Sequence, residues 1–409
     1  MKTLIKNIGL IATPFGTSAK KGAMQGEIKY YKNAYILIEN EKIKSISEDT
    51  NYPDADLVID ANNKLITPGF IDPHTHLVFG GWRQNELQMK LKNVPYLEIL
   101  QKGGGILSTV NATRESTLEE LKQKASKVLK RMIKFGVTTC EAKSGYGLDL
   151  QNEKKMLYVI KELKQEEDIE LVSTFMGAHA LPNEYKNNRQ AYIDLVINEM
   201  IPMVVNENLA EFIDAFCEKG VFTKEESKVI LEAGKRKGLI PKCHTDEIEP
   251  IGGTEMAANI GAISCEHLIK ANEEGIKAMA KSGTIACLLP ATSFYLNSTY
   301  APARQMINEN VAIAFGSDFN PGSCPCNNYT LAMNIACLKY RMTKEECLTA
   351  TTLNAAACIN RAKTLGTIEI DKQADLIFWD ANDLEYIYYR FGDNLVDKVM
   401  KKGKIVVEN

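Results

Sequence analysis

The sequence predicts an α/β protein: a closed (β/α)8 TIM-like barrel, joined to a small β-sandwich-like domain formed from both termini. Three observations predict it. Between residues 66 and 362, apolar, β-rich runs alternate with amphipathic helical patterns, as in a parallel sheet with crossover helices. Eight such runs occur, the number that closes a barrel. At both ends of the chain, short strand-like runs are separated by turn residues, and neither end has enough of them to bury a core alone.

In chain order, residues 34–39 (AYILIE), 42–47 (KIKSIS) and 56–60 (DLVID) are the first strands. The barrel strands are expected at 66–72, 136–141, 169–177, 211–217, 239–243, 262–265, 284–289 and 311–316. Helices are expected at 116–135, 152–164, 224–237 and 272–281, among others. The longest connection, residues 77–115, joins the first two barrel strands and contains Gly103 and Gly105; loops of that length usually act as lids or substrate loops. Strand-like runs return at 366–370 (GTIEI), 374–379 (ADLIFW) and 404–407 (KIVV). The division expected is a composite β-domain, 1–65 plus 363–409, around a barrel at 66–362.

Composition narrows the function. The 409 residues carry 49 Lys plus Arg and 52 Asp plus Glu, a formal charge of -3 that supplies no basic field for nucleic acid. With 45% hydrophobic and 25% charged residues the chain is an ordinary globular one, not a disordered one. No apolar run approaches the ~20 residues of a membrane span. The start, MKTLIKNIGLIATP, is interrupted by Lys6 and Asn7, which argues against a signal peptide. The expectation is a cytoplasmic enzyme. Ten scattered cysteines read as reduced, buried side chains, Cys217 and Cys265 among them. Cys324 and Cys326 are close, but no paired Cys-x-x-Cys sets point to a thiolate zinc site.

The five histidines, at 74, 76, 179, 244 and 267, fall close to predicted strand ends, where barrels of this kind gather their reactive groups. His74-Thr75-His76 puts two imidazoles on one side of an extended segment, because side chains alternate with period two. His244 and Asp318 could complete a set of three nitrogens and one oxygen, which suits Zn²⁺ or Fe²⁺ with a position left for water. Asp318 could also accept a proton from that water. Taken singly, each of these is more commonly a core histidine or a turn aspartate.

The strings PGFIDPHTHLVFGG, GAH, CHTDE, CEHL and FGSDFNPGS together resemble the amidohydrolase superfamily over nearly the whole chain. SGYG, GAHALP, HTDEI and SDFNPGS are more closely similar to its imidazolonepropionase branch. The resemblance implies metal binding by His74, His76, His244 and Asp318, with one Zn²⁺ or Fe²⁺/Fe³⁺ per subunit. It implies substrate contacts from Arg83, Tyr146 and His179, with Glu247 near the reacting atoms and Asn320, Gly322 and Ser323 around the product. His267 takes a position that polarises substrate or moves a proton. The implied reaction is hydrolysis of the cyclic amide of imidazolone propionate, in histidine degradation, by a homodimer without nucleic-acid or membrane partners.

These roles suit the residue types. Arg83 could bind a propionate carboxylate bidentately. Tyr146 lies between two glycines, which lets its ring approach a ligand closely. Glu247 can share a cavity with His244 if the chain turns there. The proton carrier stays open among Glu247, His267 and Asp318. Lys219, after the fourth strand, leaves a two-metal centre possible if it points inward. The alternatives are a nucleobase-type aminohydrolase with the same metal set, and a non-catalytic scaffold.

Overall fold

The crossover helices begin where a short polar side chain can satisfy a free backbone N–H. Thr117, Thr223 and Thr343 each accept from the amide three residues on, while Glu120, Glu226 and Glu346 reach back to close capping boxes. Asp149 and Asn272 cap by a single bond. Each cap contributes about 1 kcal/mol. They fix the starts of Leu118–Met132, Leu150–Glu166, Lys224–Arg236 and Glu273–Ser282, close to the predicted positions. The computed structural model describes residues 1–92, 94 and 104–409. The middle of the 77–115 connection, with Gly103, lies outside the described residues, and so does the lid role expected of it.

Both termini build one sheet. β1 (Lys2–Thr13), β2 (Lys29–Glu39), β3 (Lys42–Ser47), β4 (Leu57–Asp60) and β5 (Leu65–Pro68) come from the start of the chain. β14 (Leu376–Trp379), β15 (Val396–Lys401) and β16 (Lys404–Glu408) come from its end. The order is β16-β15-β14-β5-β1-β2-β3, with β4 also paired to β1. Its apolar face buries Ile5, Ile8, Ile11, Ile36, Ile38, Ile66, Leu376 and Phe378.

The expected strand at 366–370 is absent. Gly366 is left-handed at φ +85, and Ile368 N donates to Thr13 Oγ1 as the chain turns. β1 and β15 were not anticipated. β1 hides its alternation behind a bulge between Ile5 and Ile8, where Asn7 adopts φ +53 and bonds Asp60.

The barrel consists of β6 (Phe70–Asp72), β7 (Val137–Lys143), β8 (Glu170–Ala178), β9 (Phe212–Cys217), β10 (Ile240–Thr245), β11 (Ser264–His267), β12 (Ile285–Leu288) and β13 (Ile313–Phe315). Neighbours pair in sequence order, and every pair is parallel. The expected strand 66–72 is two strands in two sheets, split at Gly69. A Cβ there would fall 2.5 Å from both Thr138 Cγ2 and Oγ1, so the crossing from one sheet to the other needs glycine. Past their C-terminal ends, the first and last strands join through Asp318 N→His74 O (3.0 Å) and His76 N→Phe319 O (2.9 Å). No helix among the described residues is long and apolar enough to cross a membrane.

Candidate active site

The bonds that close the barrel also assemble the site. His74 and His76 leave β6 as alternating residues of an extended segment, and the two closing bonds bring Asp318 beside them. His244 points inward from β10, and His267 is the last residue of β11. Asp318 and His267 hold φ +52 and +69, a left-handed backbone that costs about 1–2 kcal/mol in a non-glycine residue. That strain sits at the rim, where it aims a carboxylate and an imidazole at one point.

His74 Nε2 lies 3.4 Å from Asp318 Oδ1, and His76 Nε2 lies 3.7 Å from the same oxygen. His244 Nε2 faces His76 Nε2 at 3.3 Å. Among the described residues three sets of potential ligands share His74, with His76 and Asp318, with His244 and His267, and with Glu266 and Cys287, the atoms of each set lying within 4.8 Å of one another. His74 Nε2 is buried with no hydrogen-bond partner. Ring nitrogens and a carboxylate oxygen, crowded this closely and short of donors, form the environment a divalent cation relieves. The residues fit such an ion.

Electrostatics agree. Burial, with the Lys143 ammonium next, holds His74 well below the usual imidazole range, and burial with His179 does the same to His76. Burial pushes His179 down to about 3 and His267 down to about 4. Neutral imidazoles present lone pairs, as a metal ligand must. Burial raises the Asp318 carboxyl, opposed by His267 and by the Thr292 hydroxyl, which donates to Oδ2 at 2.6 Å. Burial pushes Glu247 up to about 7, against the pull of His244. Its Oε2 lies 3.6 Å from His267 Nε2.

The remaining expected residues line the same rim. His179 stacks on His76, centroids 4.8 Å apart and 16° from parallel, and its Nδ1 is 3.0 Å from Gly145 O. Tyr146 tilts against both rings at 5.2 and 5.8 Å. Arg83 lies across Gly322 so closely that a Cβ there would fall 0.9 Å from its Nη2. Its Nε is buried without a hydrogen-bond partner, 3.8 Å from Glu86 Oε1. Asn320 spends its side chain on its own loop, accepting from Gly322 N (2.8 Å) and Ser323 N (2.7 Å) and donating to Asp318 O (2.7 Å). Lys219 points outward, 65% exposed, and pairs with Glu249 at 2.8 Å, so it offers no inward bridge to a second ion.

Sequence reading missed the residues that hold this set in place. Glu218 accepts from the amides of Glu247, Ile248 and Glu249 at 3.1, 2.9 and 3.1 Å, which makes the turn presenting Glu247. Glu153 accepts from Gly145, Gly147 and Leu148 and shapes the Tyr146 loop. Phe216, on the same strand end, tilts against His244 at 5.8 Å and His179 at 6.3 Å. Glutamates are too common for position alone to single these out; only Phe216, an aromatic at a strand end, carried a usable signal.

The amidohydrolase family model matches residues 65–406. The chain is 49% identical to the imidazolonepropionase of Alkaliphilus metalliredigens (strain QYMF) over 99% of its own length and 98% of the relative's. It is 48% identical to that of Bacillus cereus (strain G9842), over 99% and 96%. Among solved structures, E. coli guanine deaminase superposes with a TM-score of 0.75 over 100% of this chain and 99% of that one; at 14% identity it shares the fold. A family model spanning most of the sequence, and relatives near half identical from end to end, establish that the chain belongs to the amidohydrolase family, in its imidazolonepropionase group.

Proposed function

We propose that this chain hydrolyses the ring C–N bond of 4-imidazolone-5-propanoate to give N-formimidoyl-L-glutamate, with His74, His76, His244 and Asp318 holding one Zn²⁺ or Fe²⁺/Fe³⁺ ion. The observation that carries it is the crowding of His74 Nε2, His76 Nε2, His244 Nε2 and Asp318 Oδ1 at the C-terminal end of the barrel. When bound, such an ion polarises a carbonyl and lowers the pKa of a water to about 7.

The side chains supply the rest. Asp318 accepts the proton of the attacking water as its oxygen bonds to the ring carbonyl carbon. As the C–N bond breaks, Glu247, beside His267, delivers a proton to the ring nitrogen. Arg83, with its unpartnered Nε, binds the propionate carboxylate, and Tyr146, His179 and Phe216 wall the ring in. The Asn320–Ser323 loop closes over the product side. Assay with freshly generated imidazolone propionate tests the reading directly: loss of its ultraviolet absorbance should accompany formation of the open-chain product, and no turnover by metal-loaded protein would overturn it.

Arg83→Ala should raise KM by about 10–100-fold, the worth of a charge-assisted hydrogen bond of roughly 1.5–3 kcal/mol, and lower kcat less. Gly322→Ala should shift KM in the same direction, because the added methyl occupies the seat of the guanidinium. Steady-state kinetics of both variants check this, and an unchanged KM in either contradicts it.

Glu247 must be protonated to act as donor. Its carboxyl sits near 7, so kcat/KM should fall as pH rises past that value, and Glu247→Gln should remove this limb along with most of the rate. A pH–rate profile of the two proteins decides it. The same burial carries a stability cost: the unfolded chain releases this proton near the ordinary carboxyl value, so the stabilisation is complete at low pH and is lost as pH rises through about 7.

The reading includes a small-molecule partner only, a cytoplasmic setting and a homodimer. Exposed Leu338, Tyr389 and Phe391, at 62%, 82% and 54%, lie where Asn334 ties two helices together and support self-association. The composite domain 1–65 plus 363–409 frames the barrel in this proposal.

A further inference from the structure

Within the barrel, among the described residues, a network of ion pairs joins five charged side chains with no solvent contact: Glu141 and Lys143 on β7, Asp214 on β9, Lys242 on β10 and Glu266 on β11. Lys143 Nζ bonds Glu141 at 2.8 Å and Asp214 at 2.9 Å. Lys242 Nζ reaches Glu141 at 3.0 Å, Pro73 O at 2.9 Å and Glu266 at 3.5 Å. Thr174 and Ser264 hydroxyls donate to Glu141 and Glu266, both at 2.5 Å. Removing ions from water costs several kcal/mol each, and apolar side chains of equal volume commonly stabilise a core as well or better. Stability alone does not account for five of them.

The frame ends on two imidazoles. Glu266 Oε2 is 2.7 Å from His74 Nδ1. Asp214 Oδ2 is 3.0 Å from His244 Nδ1, while its Oδ1 accepts the His244 backbone N–H at 3.2 Å. A carboxylate at Nδ1 selects the Nδ1–H tautomer and turns the Nε2 lone pair the other way. Among the described residues His244 Nδ1 and His76 Nδ1 are both buried without a hydrogen bond; Asp214 stands against the first as an ion-pair contact, whereas the His76 ring is held by stacking on His179.

We propose that Glu266 and Asp214 are positioning residues of the metal centre, fixing His74 and His244 with Nε2 toward the ion, and that Lys143, Lys242 and Glu141 form the rigid, counter-charged frame that holds both carboxylates in register. The proposal rests on the metal-centre reading above.

The test is Zn²⁺ affinity by chelator competition on the full chain, with folding of each variant checked by circular dichroism. Glu266→Ala should weaken Zn²⁺ binding by about 10–100-fold. Glu266→Gln, whose amide oxygen can still accept from Nδ1–H, should recover most of that loss, which a merely space-filling role would not require. Ring-¹⁵N spectra of the metal-free protein resolve only five histidines. One of them should lose its Nδ1–H signature in Glu266→Ala and keep it in Glu266→Gln. Should Glu266→Ala fail to fold, Asp214→Ala carries the same affinity test through His244. Wild-type affinity in a folded Glu266→Ala chain, with an unaltered tautomer pattern, overturns the positioning role. Absence of Zn²⁺ binding by the wild type overturns the metal-centre reading beneath it.

Discussion

Asp318→Asn should lower kcat by about 10³-fold or more while leaving the fold intact, the scale set by loss of a positioned general base. Asparagine preserves the size and the Thr292 contact at Oδ2 but removes the negative charge beside His74 and His76. It also removes the acceptor for the water's proton. Ion affinity should fall together with kcat, because one oxygen is assigned both roles. KM should move far less, since Arg83 and the aromatic wall are untouched. Kinetics and metal titration of the purified variant check this; a variant retaining a tenth of wild-type turnover would remove Asp318 from the reaction.

The second large effect concerns the ion. Treatment with a strong chelator should reduce turnover to background, and added Zn²⁺ or Fe²⁺ should restore it. Secondary structure should persist, because the strand pairing and caps that build the barrel include no ligand–ion bond. Without the ion, His74 Nε2 stays buried with no hydrogen-bond partner, and the ion binds only the folded chain, so the chelated protein should melt at a lower temperature than the loaded one. Comparing melting and turnover before and after reloading distinguishes loss of the ion from unfolding. Full activity in protein shown to be free of metal would contradict the reading.

Much of this was legible in the sequence. The eight barrel strands follow their apolar runs, and each histidine lies at a strand end because inward-facing positions there are the places a short connection leaves open. The terminal sheet was harder. β1 breaks its alternation at Lys6 and Asn7, since the bulge lets one strand pair with β4 and then with β5, and a period-two pattern cannot survive an extra residue. The strand expected at 66–72 splits because Gly69 carries the chain from one sheet to the other, an event with no hydrophobic signature.

The candidate ligands were visible because histidine is scarce and His-x-His has a geometric meaning. Their supports were not. Glu266, Asp214, Glu218 and Glu153 are acids among many, and only the fold shows that each is buried and committed to a backbone turn or an imidazole. Lys219 illustrates the reverse: its place after the fourth strand left an inward orientation open, and the ion pair with Glu249 turns it to solvent.

The most direct measurement is equilibrium Zn²⁺ binding to metal-stripped protein, counted per chain, in the wild type and in single His74→Ala, His76→Ala and His244→Ala variants. One tight ion per chain in the wild type, weakened at least about 100-fold by each substitution, is the predicted result. No tight ion in the wild type, or an ion retained at full affinity by all three variants, would contradict it.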